Sequence, residues 1–268
     1  MGDGTGTDRF PLSVTIIAAN EEANIAECLE SVSWVDEIIV VDSGSNDRTK
    51  EVASRCTLHV VSHPWEGYAR QKTFGLSLAT HEWVLSLDAD ERVSPELKAE
   101  ISSLDFSKAD GFFIPRRNFF LDRVIRTCGW SPDYQLRLFR KSVTHVTGRK
   151  VHERFVVEGR TSRLRGELLH FTHPTVEGTL RKINEYSTLR AAEKSMRKHP
   201  SGITLVLHPL WEFLHHYILR RGFVEGVHGL MVSLIHAMTD AQTYMKIWEL
   251  QNVKRNRQKS PEPPHPSV

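Results

Sequence analysis

Short apolar runs alternate with amphipathic stretches along the first hundred residues of the chain. The runs rich in Val, Ile and Leu, which predict strands, are 14–17, 37–41, 58–61 and 83–87. The stretches between them, which predict helices, are 23–33, about 47–55 and about 68–79. Strands of nearly continuous apolar character are typical of a parallel sheet that is covered on both faces. The pattern therefore predicts an α/β fold with a doubly wound, mostly parallel sheet.

Beyond residue 110 the pattern changes twice. Hairpin-like strands are predicted at 111–115, 134–140 and 155–157, and they fit antiparallel additions to the sheet. From about residue 176 the pattern is helical, with a break at Pro200-Ser201-Gly202 before helices at 203–221 and 223–250. The predicted parts are a disordered N-terminus (1–11), an α/β domain (12–175), a C-terminal helical region (176–250) and a disordered basic, Pro-rich tail (251–268).

Composition narrows the class of protein. The 268 residues are 40% hydrophobic with a net charge of +2, which is ordinary for a soluble globular protein and gives no reason to expect a nucleic-acid partner. Three cysteines, Cys28, Cys56 and Cys128, are odd in number and lack a CxxC spacing, which argues against a disulfide framework and a zinc site. No run resembles a signal peptide or a membrane-spanning helix. We therefore expect a cytoplasmic protein.

Charge is distributed unevenly along the chain. The net charge is −11 over residues 1–110, +11 over 111–200 and +2 over 201–268. Solvated faces can differ in this way by chance. Alternatively, the acidic half binds a cation while the basic segment faces an anionic acceptor or a membrane surface. Arg137, Arg140 and the Arg149-Lys150 pair are candidates for such an acceptor contact, although arginines on an exposed strand face are commoner.

Three polar clusters follow predicted strands: 20–22, 42–45 and 88–91. In open α/β sheets, ligands bind beyond the carboxyl ends of the strands. In the third cluster, Asp88 and Asp90 project two carboxylates around one spot. Such oxygen ligands suit Mg²⁺ or Mn²⁺ with positions left open for phosphate oxygens. Helix capping or solvation of loop charges is the alternative explanation.

The second cluster reads as a turn that leads into a helix. Gly44 permits a tight turn, and Ser45 or Asn46 can cap the helix. Asp42 would then be free to accept a hydrogen bond from a base or a ribose, although a plain turn needs no such role. Arg70 and Lys72, which precede the fourth strand, either meet a diphosphate at the same sheet edge or form part of a solvated surface.

In this order, the motifs at 17–22, 40–49, 67–72 and 87–91 resemble those of the family 2 glycosyltransferases. The family's fold is the nucleotide-sugar-binding GT-A fold. Residues 130–140, which read Trp-Ser-Pro-Asp-Tyr-Gln-Leu-Arg-Leu-Phe-Arg, and 151–153, Val-His-Glu, are similar to the bacterial lipopolysaccharide-core β-glucosyltransferases. The resemblance implies that residues 12–175 bind a nucleotide sugar and carry the catalytic site.

The resemblance also implies roles for the donor-side residues. Glu21 or Glu22, together with Asp42, would hold the uridine end of a UDP-sugar. Asp88 and Asp90 would hold Mg²⁺ or Mn²⁺ and, through it, the diphosphate.

Further roles concern phosphate charge and proton transfer. Arg70 and Lys72 would neutralise phosphate charge. Glu153, or alternatively Asp133, corresponds to the catalytic base. An inverting transferase needs such a carboxylate to take the proton of the acceptor hydroxyl, and a cation to stabilise the departing diphosphate.

The implied function is inverting, metal-dependent transfer of a hexose, glucose, from a UDP-sugar to a lipopolysaccharide-core or other glycolipid acceptor. Two alternatives on the same fold are a polyprenyl-phosphate sugar transferase and a non-catalytic nucleotide-binding scaffold. A dinucleotide-dependent oxidoreductase is disfavoured, because the turn after the first strand has no GxGxxG motif.

The predicted C-terminal helices have a distinct composition. Aromatic and aliphatic residues at 210–219 precede the pair Arg220-Arg221, a pattern that suits either the interface of a bilayer or packing on the sheet. Relatives that act on lipid-linked acceptors carry a segment comparable to 222–226, Gly-Phe-Val-Glu-Gly. This resemblance implies peripheral contact with the inner face of the cytoplasmic membrane.

Overall fold

The apolar runs of the sequence form the parallel part of a ten-stranded sheet in the computed structural model, which describes residues 10–147 and 154–257. The chain divides into two compact units. The first unit contains the described residues of 10–124 and 130–172, and the second contains 125–129 and 173–257. The prediction of an α/β fold with parallel and antiparallel strands and a C-terminal helical segment is confirmed.

The bounds of the elements are as follows. The strands are β1 (Phe10–Ala18), β2 (Val35–Asp42), β3 (His59–Ser62), β4 (Trp83–Asp88), β5 (Glu91–Val93), β6 (Gly111–Phe120), β7 (Arg123–Val124), β8 (Tyr134–Arg140), β9 (Thr144–Val146), β10 (Phe155–Val157), β11 (Thr161–Arg163) and β12 (Leu168–His173). The α-helices are α1 (Ile25–Ser31), α2 (Thr49–Ser54), α3 (Tyr68–Leu78), α4 (Pro95–Ser102), α5 (Val176–Lys194), α6 (Gly202–Leu214) and α7 (Val227–Arg257).

The sheet has the strand order β3-β2-β1-β4-β8-β6-β12-β5. The first four strands in this order pair in parallel. β8 then runs antiparallel to β4, and β6 runs antiparallel to β8. β7 and β11 also pair with β6, while β9 and β10 form a separate antiparallel hairpin. The parallel part therefore ends where the predicted antiparallel additions begin.

The centre of β1 shows why its sequence is almost continuously apolar. Leu12, Val14 and Ile16 are fully buried on one face, and Ser13 and Thr15, between them, are at most 3% exposed. A strand buried on both faces needs side chains that tolerate burial at every position, which an alternating pattern would not supply. The uncharged run of β1 thus reflects a sheet with both faces covered.

Several short strands were not predicted, and two of them, β5 and β12, lie at one end of the sheet. β5 is a short strand between β4 and α4. β12, at 168–173, was not predicted, and it pairs antiparallel with β5. β5 begins with the charged residues Glu91 and Arg92, so it lacks the apolar run by which other strands were recognised. Together β5 and β12 extend the sheet next to the end of β4.

Side chains cap the N-termini of two helices in the second unit, α5 and α6. Thr175 Oγ1 accepts from the Gly178 N–H at 3.0 Å, and Ser201 with Thr204 forms a reciprocal capping box before α6. α6 ends earlier than predicted and continues as a π-helical turn over His215–Leu219. A 3-10 turn over Gly222–Glu225 then leads into α7.

The boundaries of the helical unit differ from those expected. The division between units lies at 172/173 rather than 175/176, and residues 125–129 belong to the helical unit. There, the Glu225 carboxylate accepts from the Arg126 N–H at 2.9 Å, and Cys128 Sγ lies 3.7 Å from the Gly229 carbonyl. Five residues without a periodic pattern give no sequence signal for this placement.

The ends of the described chain also differ from the expected disorder. β1 begins at Phe10, inside the segment predicted to be disordered, and α7 extends through 251–257. Four of the seven residues of that extension are Gln, Lys or Arg, which are good helix formers. Within residues 10–147 and 154–257, we find no helix with the length and continuous apolar character needed to cross a membrane.

Candidate active site

The three predicted polar clusters meet at one edge of the sheet. In the register of the parallel strands, Ala18 of β1 is opposite Asp42, and Ile17 is opposite Asp88. The ends of β2 and β4 therefore flank the end of β1, as expected for the ligand-binding edge of an open α/β sheet.

The loops after β1 and β2 are joined to each other by hydrogen bonds. The Asn20 N–H donates to Ser45 Oγ at 2.9 Å, and Asn20 Oδ1 accepts from the Asn46 N–H at 2.9 Å. The Glu21 N–H donates to Thr49 Oγ1 at 2.8 Å. Asn20 has a φ of +56°, a left-handed conformation that Asn tolerates better than most residues. The two loops thus form a single rigid structure.

The three acidic residues predicted to hold uridine lie in these loops. Asp42 is fully buried, and its carboxylate accepts from the N–H groups of Gly44 and Ser45 at 3.0 and 3.1 Å. Glu21 accepts from the Asn24 side chain at 2.6 Å, and exposed Glu22 pairs with Arg48. Asp42 therefore stabilises the turn itself, a task that the motif did not reveal.

Of the two basic residues predicted to meet phosphate, the structure brings Lys72 to the acidic cluster. Its Nζ lies 3.7 Å from Asp88 Oδ1, and its side chain is only 10% exposed. Arg70, one residue earlier than the buried Gln71, is 75% exposed and lies 4.0 Å from Glu66. Successive residues of a helix point in different directions, so only one of the pair faces the sheet edge.

Asp88 is paired with a buried guanidinium. Its carboxylate accepts a short hydrogen bond from Arg137, which also donates to Glu91 at 2.7 Å. Burial alone would raise the pKa of Asp88, but Arg137, and to a lesser degree Lys72, outweighs burial and holds that pKa well below its usual value. Asp88 is thus a permanent anion whose charge is already balanced within the protein.

Glu91 links this pair to the next strand. It is completely buried, and its carboxylate accepts from the Asp88 N–H at 3.0 Å and from Arg116 at 3.3 Å. Arg116 in turn donates to Asp133 at 2.8 Å through Nε. Acidic and basic side chains therefore alternate from the end of β4 to the start of β8.

This arrangement changes the interpretation of the arginines considered for an acceptor. Arg137 is engaged by Asp88 and Glu91, and Arg140 lies 3.6 Å from Asp110 and over the Trp83 ring. Both therefore serve internal pairs. Arg149 and Lys150 lie outside the described residues.

Asp90 lies beside a histidine that the motifs did not identify. His170 Nε2 is 3.6 Å from Asp90 Oδ1, and His170 Nδ1 is 2.6 Å from Asn118 Oδ1. His170 comes from β12, where its register position is opposite Glu91. Eighty residues separate it from the acidic motif, so only the strand pairing reveals the proximity.

Asp90 and His170 provide one carboxylate oxygen and one imidazole nitrogen, a donor set compatible with Mn²⁺ and other divalent cations. Asp88 suits a cation less well, because Arg137 and Lys72 already approach its oxygens. Nowhere in the described ranges do three His, Cys, Asp or Glu side chains form a group that could hold a metal ion. The residues present therefore fit a cation whose coordination is completed by substrate oxygens and water.

Asp133, one of the two candidates for the catalytic base, belongs to the network of paired charges. Asp133 accepts hydrogen bonds from Arg116, Asn118 and Gln135, and Arg116 outweighs burial, so its pKa is lowered. A lowered pKa weakens a general base. Glu153 lies outside the described residues.

Residues 13–186 match the model of the family described as Glycosyl transferase family 2. The chain belongs to this family. The predicted glycosyltransferase class and the GT-A-like fold are thereby confirmed.

Relatives of this family 2 glycosyltransferase span nearly its whole length. The lipopolysaccharide core biosynthesis glycosyltransferase LpsC of Rhizobium meliloti is 31% identical over 261 residues, covering 92% of this chain and 95% of LpsC. A glycosyltransferase of Rickettsia typhi is 32% identical over 262 residues, covering 91% and 89%. The solved structure of S. aureus TarS 1–349 in complex with UDP-GlcNAc is 16% identical with a TM-score of 0.46, covering 95% and 93%.

Proposed function

We propose that this family 2 glycosyltransferase is an inverting, metal-dependent enzyme that transfers glucose from UDP-glucose to a lipopolysaccharide-core or other glycolipid acceptor. The name of the relative LpsC supports the acceptor class, since the two proteins are similar over almost their full lengths. The resemblance of residues 130–140 and 151–153 to lipopolysaccharide-core β-glucosyltransferases supports glucose and the inverting outcome.

The observation that carries the proposal is the arrangement at the end of β4. Asp90 and His170 lie 3.6 Å apart and would hold Mn²⁺ or Mg²⁺. When bound there, the cation would supply positive charge to the diphosphate of the donor. Lys72, held 3.7 Å from Asp88, adds a second positive charge at the same sheet edge.

The paired groups around this edge would keep the donor site in a fixed shape. Glu91 accepts from the main-chain N–H of Asp88, and Arg137 donates to the Asp88 side chain and to Glu91. Little rearrangement is therefore needed when the donor binds. Preorganised charges of this kind stabilise developing charge more effectively than mobile ones. In the transition state that charge lies on the oxygen that links the sugar to the diphosphate.

Proton transfer requires a carboxylate that takes the proton of the acceptor hydroxyl. As the acceptor oxygen bonds to the anomeric carbon, its proton must leave while the bond to the diphosphate breaks. Glu153 is our choice for this base, because Asp133 already accepts from three side chains and has a lowered pKa. Displacement from the face opposite the diphosphate inverts the anomeric configuration.

A membrane-facing surface on the helical unit fits a lipid-linked acceptor. One face of α6 carries apolar residues that are each more than a third exposed. We call this set the α6 surface; it consists of Ile203, Val206, Leu207, Leu210, Trp211 and Leu214. Exposed arginines follow the helix at 220 and 221, and exposed Arg197 and Lys198 precede it. An apolar helix face with cations at both ends is suited to an anionic bilayer interface. We propose peripheral binding there.

The direct test is transfer. The protein would be incubated with UDP-glucose, Mn²⁺ and truncated lipopolysaccharide, and the product analysed by mass spectrometry and by NMR of the new linkage. We expect one β-linked hexose on the core oligosaccharide. Hexose found only on a polyprenyl phosphate would contradict the acceptor, and nucleotide binding without any transfer would contradict the catalytic proposal.

A further inference from the structure

Asn118 of β6 connects two parts of the candidate site. Its side chain is buried, with 6% of the residue exposed. Its Nδ2 donates to the Trp130 carbonyl at 2.9 Å and to Asp133 Oδ2 at 3.2 Å. Its Oδ1 lies 2.6 Å from His170 Nδ1. One amide therefore joins the 130–133 segment to the histidine beside Asp90.

The partners of Asn118 determine how its amide is oriented. A main-chain carbonyl and an ionised carboxylate can only accept hydrogen bonds, so the amide NH₂ group must face them. The amide oxygen is then directed at His170. Because this oxygen can only accept, the proton of the contact must be on His170 Nδ1.

This choice of tautomer affects the other ring nitrogen. A neutral imidazole carries a single N–H, so with Nδ1 protonated, Nε2 presents its lone pair. That lone pair lies 3.6 Å from Asp90 Oδ1, which is also an electron-pair donor. A histidine that ligates a metal ion commonly donates its other ring N–H to a protein oxygen, and the contact from His170 Nδ1 to Asn118 Oδ1 is of this kind.

We propose that Asn118 is a positioning residue: it fixes His170 in the Nδ1–H tautomer and thereby orients Nε2, beside Asp90, to ligate a divalent cation. This inference rests on the proposed function only for the identity of the cation. The tautomer itself follows from contacts within β6, β12 and the 130–133 segment.

The anchors of Asn118 are themselves held in place. Asp133 Oδ2, the oxygen that Asn118 contacts, accepts from Arg116 Nε at 2.8 Å and lies 2.7 Å from Arg116 Nη2, so this anchor does not depend on Gln135, which donates to Oδ1. β6 and β12 are neighbours in the sheet, so Asn118 and His170 are held by strand pairing. The amide thus has little freedom to turn over and exchange its oxygen for its nitrogen.

The tautomer can be measured in the metal-free wild-type protein. Long-range ¹H–¹⁵N spectra of the histidine rings, recorded at about pH 8 where an ordinary imidazole is neutral, distinguish the two forms. We expect His170 to be Nδ1–H. An Nε2–H form or an even mixture would overturn the proposal without any variant having been made.

Two leucine variants separate the contact to His170 from the contact to Asp133. Asn118→Leu removes both contacts, whereas Gln135→Leu removes only a donor to Asp133 and is the matched control. We expect Asn118→Leu to lose the pure Nδ1–H form and to bind Mn²⁺, measured by electron paramagnetic resonance with UDP present, about 10- to 100-fold more weakly. Gln135→Leu should change neither readout.

The outcomes also distinguish this inference from the proposed function. If wild type shows the Nδ1–H form and Asn118→Leu loses it, the control of the tautomer by Asn118 stands even should UDP fail to bind, a failure that would contradict the proposed function instead. Should Mn²⁺ also fail to bind, the role of His170 as a cation ligand is wrong. If Asn118→Leu keeps both the tautomer and the Mn²⁺ affinity of wild type, or if Gln135→Leu changes them equally, the role of Asn118 is wrong.

Discussion

The sheet edge of the first unit and the α6 surface of the second break the usual distribution of side chains in opposite ways. At the sheet edge, charged groups are buried: Glu91 is inaccessible and Arg137 is 4% exposed. On α6, large apolar groups are exposed, including Leu210 at 51% and Trp211 at 54%. Both arrangements are unfavourable unless something compensates for them.

The two regions differ in what offsets the unfavourable arrangement. At the sheet edge, the buried charges are offset within the protein, because Asp88, Arg137, Glu91 and Arg116 neutralise one another. For the α6 surface, we infer that a bilayer covers the exposed apolar side chains. Substitutions at the sheet edge should therefore alter stability and catalysis, whereas substitutions on the α6 surface should alter binding to membranes alone.

The largest effect is expected from Glu153, the carboxylate that we propose as the base. Glu153→Gln should retain UDP and metal binding but lower kcat about 10²- to 10⁴-fold, the usual contribution of a general base. Stopped sugar-transfer assays and UDP titrations would measure the two quantities. Asp133→Asn is the comparison variant, because Asp133 is held by Arg116. Loss of kcat in that variant alone, with unchanged stability, would mean that Asp133 is the base.

The next largest effect concerns the buried pairs. Arg137→Gln leaves Asp88 and Glu91 without their shared cation and should lower the free energy of unfolding by about 3–5 kcal/mol. Arg55→Gln, in the exposed pair with Glu51, is the control and should cost less than about 0.5 kcal/mol. Urea unfolding curves would measure both. Equal losses would show that the network contributes no more than a surface pair.

The stability of the second unit should depend on pH through a buried histidine of α7. Burial, followed by the stacked ring of His216, lowers the pKa of His236 in α7 from 6.5 to about 3. The unfolded chain therefore takes up a proton below pH 6.5 that the folded chain refuses until about pH 3. The contribution of His236 to the free energy of unfolding is therefore fully present above pH 6.5. Below that pH it decreases by up to about 1.4 kcal/mol per pH unit.

The variant His236→Phe should flatten the decline of the unfolding midpoint between about pH 6.5 and 4.5. His199→Gln, at an exposed position of the same unit, should leave the decline as in wild type. Asp88 has a lowered pKa, so its contribution is present above its ordinary pKa of about 4 and decreases only below that. A decline that persists in His236→Phe would contradict this assignment.

The smallest effect on stability is expected on the α6 surface. Leu210→Gln should reduce binding to phosphatidylglycerol vesicles about tenfold, while the free energy of unfolding changes by less than about 0.5 kcal/mol. Leu58→Gln changes a leucine that is 96% exposed in the first unit, and should leave vesicle binding unaltered. Vesicle co-sedimentation would compare them. Equal binding by both variants and wild type would remove the membrane role.

The sequence predicted those features that rest on local patterns. The apolar runs located β1, β2 and β4, and the acidic clusters at their ends met as expected. β8 and β10 were predicted with their observed bounds. Such predictions succeed because strand periodicity and strand-end polarity are properties of neighbouring residues.

The parts that escaped prediction depend on distant pairings. His170 reaches Asp90 only through the pairing of β12 with β5, and Arg137 reaches Asp88 from the adjacent antiparallel strand. The placement of 125–129 likewise depends on tertiary packing rather than on sequence period. Residue types at the site were therefore identifiable, whereas their partners were not.

Asp90 and His170 are proposed to hold a divalent cation through which the protein binds a UDP-sugar. Calorimetric titration of UDP into wild type and Asp90→Asn, with and without Mn²⁺, measures this binding and its dependence on the cation. We predict that UDP binds wild type only with Mn²⁺, and that Asp90→Asn, folded as judged by its melting temperature, loses this binding by about 10²-fold or more. UDP binding of equal strength without Mn²⁺, or undiminished Mn²⁺-dependent binding by Asp90→Asn, would contradict the claim.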